Sequence, residues 1–208
     1  MRVQELFEQD TVVDLRGKKV DGLTVPWDME GNKVWKGDFK YSPKAGSQKL
    51  TSLNGSPERI MGSFDVSHNR LVDLRGSPKE VDTSFFCNHN QLTSLEGAPK
   101  LIGHSFSCSN NKIESLHDVH RHLHTVRDSM WFSYNPIKEC LLGLLLLDQL
   151  RTIGSAVNFR NYPFASQAGL DRACDIVNKY LPNTLGRSVL IACQNEMLDA
   201  GLEEYAKL

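Results

Sequence analysis

This chain has no surplus of either charge. Its 24 Lys and Arg face 25 Asp and Glu, for a formal net charge of −1 over 208 residues. Without a bulk field to gather phosphates or anionic lipid, nucleic acid and membrane surfaces are poor partners. Long apolar runs are missing as well. The longest spans 140–147, with Gly143 inside it, and falls far short of the ~20 residues a membrane-spanning helix needs. The five cysteines are odd in number and scattered, which argues against a disulfide framework. Met1, Arg2, Val3, Gln4 and Glu5 lead into mixed polar sequence rather than the apolar core of a secretory signal. The expectation is a soluble protein of a reducing compartment. Catalytic signatures are lacking too: there is no Gly-x-Ser-x-Gly, no phosphate loop and no His-Glu-x-x-His. These absences predict neither enzyme activity nor a cofactor.

What the chain does have is a repeat. Three ungapped copies of a 21-residue unit occupy 50–70, 71–91 and 92–112. A fixed period of this length with leucines at set offsets is the mark of a leucine-rich-repeat solenoid. Leu50, Leu71, Leu92 and Ile113 align, as do Leu53, Leu74, Leu95 and Leu116. Ile60, Val81 and Ile102 align, then Phe64, Phe85 and Phe106, then Val66, Cys87 and Cys108. These positions should stack as ladders inside the coil. Gly55, Gly76 and Gly97, each followed two residues later by proline, predict the same bend in every coil. Asn69, Asn90 and Asn111 close the units, where an inward amide can pair main-chain groups of neighbouring coils. The alternation Phe-x-Val or Phe-x-Cys has a period of two, so each unit holds a short strand and the stack a parallel sheet.

The flanks depart from this pattern. An amphipathic helix at 1–8 is expected to cover the first coil. Val12 to Gly17 matches 71–76 and opens an irregular first repeat, whose strand half, 37–42, parallels 62–67. Between them a longer segment with Trp27 and Trp35 predicts a hairpin or bulged loop. In the fourth unit Met130, Phe132 and Asn135 fall three residues late. Leu116, Val119, Leu123 and Val126 have helical spacing, so a helix should replace the glycine–proline turn. Pro136 is expected to end the array. Beyond it, 137–150 reads as a buried helix or a helix followed by a strand, 153–159 as a short strand, 166–181 as a helix, and 187–207 as a last helix broken at Gly201. The predicted organisation is an N-terminal cap with irregular first repeat (1–49), leucine-rich repeats (50–135) and a mostly helical C-terminal cap (136–208). The fold class is α/β: a short, right-handed solenoid with its parallel sheet on the concave face.

The units resemble short bacterial leucine-rich repeats of secreted effectors, and more closely a leucine-rich-repeat-like family encoded by bacteriophages and prophages. The tail from Ala192 to Leu208 is similar to the ends of such phage proteins. The repeat resemblance covers about 12–135. It implies a partner-binding protein acting in phage–host conflict, in the cytoplasm of a bacterial host, with a host protein as partner. The long first repeat and the helical fourth one depart from the family pattern.

Residues between the inward positions of each strand should face the concave surface in three rows. One row is Asp65, Phe86, Ser107 and Trp131; the second is Ser67, Asn88, Ser109 and Ser133; the third is His68, His89, Asn110 and Tyr134. Phe86, Trp131 and Tyr134 among small polar residues suit a protein-binding face, because aromatic anchors dominate interface hot spots. The plainer alternative is that the C-terminal block folds over and buries them. His117, His120 and His124 would share a helix face and could hold zinc or nickel, but Arg121 repels a cation and no cysteine stands at ligand spacing, so no metal is expected. Cys87 and Cys108 read as small core residues. An inward Cys87 cannot pair with an outward His89, since alternate strand residues point to opposite faces.

The function these features favour is non-catalytic protein binding, as an inhibitor or modulator of a host defence protein, through the concave face or the C-terminal cap. Two other classes stay open: a homo-oligomeric accessory component assembling through 141–147 or the last helix, and a binder or hydrolase of a nucleotide-type ligand using Arg121, Arg127, Arg160, His68 and His89.

Overall fold

The computed structural model describes residues 14–16, 18–20, 23–24, 34–43, 48–139, 141–146, 157–158, 168–181 and 187–207. It is a β-solenoid of about four turns with a few helices. β1 (Lys19–Val20) and β2 (Leu23–Thr24) form an antiparallel pair, the hairpin expected ahead of Trp35. Thereafter each coil contributes two short strands. They are β3 (Val34–Trp35) and β4 (Phe39–Lys40), β5 (Arg59–Ile60) and β6 (Phe64–Asp65), β7 (Glu80–Val81) and β8 (Phe85–Phe86), β9 (Leu101–Ile102) and β10 (Phe106–Ser107), β11 (Thr125–Val126) and β12 (Met130–Trp131). The first of each pair stacks into a five-stranded parallel sheet. The second stacks into a sheet of six, which β13 (Val157–Asn158) completes by pairing parallel with β12.

The repeat explains the stacking. Phe39, Phe64, Phe85, Phe106 and Phe132 are at most 1 % exposed, and their ring centroids follow one another at 4.9, 5.3, 5.8 and 6.0 Å. Burying a side chain of this size stabilises by about 1.5–3 kcal/mol, and the four copies from Phe39 to Phe106, extended by Phe132 although Met130 holds the register position, give a narrow coil the continuous core it could not otherwise assemble. Ile60, Val81 and Ile102 form the matching ladder beneath the five-stranded sheet. Leu53, Leu74 and Leu95 accept hydrogen bonds from the N–H groups of Ser56, Ser77 and Ala98, closing turns in which Gly55, Gly76 and Gly97 have φ near +85°. At Gly97 an added Cβ would also stand 2.5 Å from the Arg75 main chain, so coil-to-coil approach forbids a side chain there as firmly as φ does.

The asparagines pair main chain as expected. Asn111 accepts from the Leu92 N–H through Oδ1 at 3.0 Å and donates through Nδ2 to the Cys108 carbonyl of its own coil and the Cys87 carbonyl of the one before. Asn69, Asn90 and Asn135 repeat the pattern. Leu15 is buried and its N–H reaches the Asn54 carbonyl, as that of Leu74 reaches Glu96. In the fourth unit the extra residues are taken up by α1 (Val119–His122), and both sheets keep register.

One expectation is corrected. Pro136 does not end the array: Lys138 N–H bonds the Glu114 carbonyl, Ser115 and Glu139 form a parallel bridge, and β13 adds a sixth strand. Proline removes one donor, the one that Arg70, Gln91 and Lys112 use in their coils, and Lys138, Glu139 and β13 stack regardless. A buried 3-10 helix (Leu142–Leu146) follows, then α2 (Ala168–Tyr180) and α3 (Arg187–Asp199). Leu170, Ala173 and Val177 of α2 and Cys193 and Met197 of α3 are buried in the same continuous core. Gly201, with φ +69°, stands beyond the end of α3, at the predicted break. The helix expected at 1–8 and Trp27 lie outside the described residues. Among those described, no helix is long and apolar enough to cross a membrane.

Candidate functional site

The outward residues of the six-stranded sheet form an open groove of about 710 Å³ across β4, β6, β8, β10 and β12. Strand register sets its floor: Lys40 lies beside Asp65, Asp65 beside Phe86, Phe86 beside Ser107 and Ser107 beside Trp131. Ser67, Asn88 and Ser109 form the next row, and His68, His89 and Asn110 the rim. Nine of the ten residues singled out as a binding face are therefore brought together: Asp65, Ser67, His68, Phe86, Asn88, His89, Ser107, Ser109 and Trp131. Tyr134, the tenth, is 41 % exposed but does not line the groove. Phe86 and Trp131 are half-buried, and among the described residues none from beyond Trp131 lines the groove. Lys40 and Ser42 also line it. The sequence carried that signal, because 37–42 aligns with 62–67, but the rows were drawn only from 65 onward.

The rim is held in an unusual backbone state. His68, His89, Asn110 and Tyr134 occupy one position in successive coils, and all have φ between 54° and 63°. Left-handed backbone suits asparagine and is tolerated by histidine, but strains tyrosine. The N–H groups of His68, His89 and Asn110 are tied to the carbonyls of Asn88, Ser109 and Ser133 in the neighbouring coil, so coil stacking enforces the conformation. It also lays the His68 and His89 rings parallel, 4.4 Å apart and inclined by 11°. Burial, and next the nearby His68, hold the His89 imidazole below its ordinary value.

The floor's acceptors are largely spent within the protein. Asp65 receives the Ser67 N–H at 3.0 Å and pairs with Lys40 at 3.0 Å. Burial pushes its carboxyl up, but the bonds to Lys40 and to the Ser67 hydroxyl and N–H outweigh this and hold it below the usual range. Asn88 Oδ1 accepts from Ser107 Oγ at 2.7 Å and from the Ser109 N–H at 2.9 Å. That second bond fixes the amide orientation, since a backbone N–H can meet only the oxygen.

Behind the floor, Cys87 and Cys108 are fully buried neighbours, and Cys87 Sγ contacts the Ser107 carbonyl at 3.4 Å. Burial and the contact with Cys87 push the Cys108 thiol well up, so it stays protonated near neutrality. Burial likewise pushes Cys193 up to about 12. The histidine tract is not one helix: α1 covers only Val119 to His122, with His117 and His124 outside it. Among the described residues no three His, Cys, Asp or Glu side chains gather as metal ligands. No protein-family model, curated protein or solved structure matches the chain.

Proposed function

We propose that this chain is a leucine-rich-repeat-type module that binds a protein partner through its groove and performs no chemistry there. The observation that supports the reading is the pair of half-buried aromatics, Phe86 and Trp131, in one row of an open, otherwise polar groove. A concave site with a few aromatic anchors and converging polar groups is the usual form of a binding surface. The helices after β13 serve in this reading as the cap that closes the last coil. The resemblance of the repeats and tail to phage-encoded proteins makes a bacterial host protein, met in the host cytoplasm, the partner of choice.

The test is selection from a displayed random-peptide library. Wild-type protein should enrich peptides that the Phe86→Ala, Trp131→Ala double variant does not hold, with the far-UV circular dichroism of the two proteins superimposable. Enriched peptides that bind both proteins equally would place the binding surface elsewhere.

A further inference from the structure

We infer that the groove takes a proline-rich segment in the polyproline II conformation, lying along the solenoid axis and across the strands. This rests on the reading of the groove as a peptide-binding site and names the kind of peptide. Two observations carry it.

The first is spacing. Phe86 and Trp131 occupy one row two strands apart, with the small Ser107 between them. Adjacent strands are about 4.8 Å apart, so the two residues that carry the rings stand roughly 9.6 Å from one another along the axis. A polyproline II helix has three residues per turn and rises about 3.1 Å per residue, so it presents the same face every ~9.3 Å. An extended strand repeats its face at about 6.6 Å, which puts its second side chain between the rings. From Lys40 to Trp131 the groove crosses four strand steps, about 19 Å, or roughly six residues of such a helix. Proline rings on aromatic faces are the established way this conformation is recognised.

The second is hydrogen-bond polarity. The floor's acceptors, Asp65 and Asn88 Oδ1, are engaged by the protein's own donors. On the floor the side-chain groups left over are donors, while the acceptors of His68, His89 and Asn110 stand at the rim. Among the described residues neither the Asn88 amide nitrogen nor the Trp131 indole N–H is bonded to a protein acceptor. A ligand that matches must offer acceptors and few donors. Proline has a carbonyl and no N–H, and polyproline II makes no internal hydrogen bonds, so its carbonyls are available. An α-helix has already used its carbonyls internally. The only charged lining residues, Lys40 and Asp65, neutralise one another, which suits an uncharged ligand.

The test uses the full chain and a fluorescein-labelled decaproline, with a Gly-Ser decamer of equal length and cellohexaose as the other arms. Decaproline should raise anisotropy saturably and shift the one indole N–H resonance that disappears in Trp131→Phe. Affinity should fall at least about tenfold in Phe86→Ala and in Trp131→Ala, less in Trp131→Phe, which keeps a ring for stacking, and not at all in Met61→Ala, an exposed position beside the other sheet. Equal binding of the Gly-Ser decamer, or preference for cellohexaose, would overturn the inference. So would failure of decaproline while selected library peptides still bind through Phe86 and Trp131, in which case the groove remains a peptide site of another kind. If the library peptides also ignore those two residues, the peptide-binding reading fails with it.

Discussion

At the scale of single residues, the two stacked imidazoles are the most informative pair outside the core. His68 and His89 are brought together by coil register and a shared left-handed backbone, not by any local sequence preference. Protonating both would place two like charges 4.4 Å apart. The depressed value of His89 follows from its burial and from that neighbour. The sign of the effect on stability can be worked through. Well above the ordinary histidine value of about 6.5 the ring is neutral in both folded and unfolded chains and contributes nothing. As pH falls through that value the unfolded chain takes its proton first, so stability drops until the folded ring also protonates. His68→Asn removes one cause while keeping a side chain that tolerates φ > 0. In a proton–carbon NMR titration the His89 midpoint should move up toward the ordinary value and the acid-side loss of stability should shrink. A midpoint unchanged by the substitution would mean that burial alone sets it.

At the scale of elements, what holds coil to coil is the turn after each strand. Asn111 is 7 % exposed and meets one N–H and the carbonyls of two coils. Asn111→Leu keeps the volume and strands those partners, each a buried polar group without water. The expected loss is about 2–4 kcal/mol in urea unfolding; a loss below about 0.5 kcal/mol, the size of an ordinary surface change, would show that the ladder is not a stabilising seam. This asparagine was legible in the sequence because it recurs every 21 residues at an otherwise apolar place. So were the phenylalanine ladder and the floor of the groove, since a fixed period aligns outward residues as surely as inward ones. The five-stranded sheet was not. Its strands are two residues long with one inward side chain each, as in Arg59–Ile60 and Glu80–Val81, and a single buried residue has no period to read. The coil after Asn135 was hidden by Pro136, which reads as a stop. Yet Asn135, Pro136 and Ile137 repeat the spacing of Asn111, Lys112 and Ile113, and Ile137 is 3 % exposed. The rim geometry had only a weak sequence signal: histidine and asparagine, which tolerate a left-handed backbone, recur at 68, 89 and 110, but tyrosine at 134 breaks the series.

At the scale of the whole molecule, equivalence of the coils makes a unit removable. Excision of 71–91 joins Arg70 to Leu92 with every ladder intact: Phe64 meets Phe106, Ile60 meets Ile102, and Asp65 lies beside Ser107, because both flanking coils already present the same positions to 71–91. The solenoid is a chain of nearest-neighbour interfaces, so its stability should fall by about one unit and one interface rather than vanish. The denaturant slope tracks surface exposed on unfolding and should drop by roughly a tenth, with a single transition retained. Excision of 71–90 is the discriminating control. It removes one residue fewer, and in a strand of period two that slip turns inward side chains outward, so the following strand would present Ser105 to the core in place of Phe106. Cooperative unfolding should then be lost. The 21-residue excision should also abolish decaproline binding, since it deletes Phe86 and Asn88 while leaving Trp131 in a folded chain. A shortened solenoid that folds and still binds would mean that the aromatic row does not act as a pair set by coil spacing. A shortened solenoid that cannot fold would mean that the coils differ in some way their common period conceals.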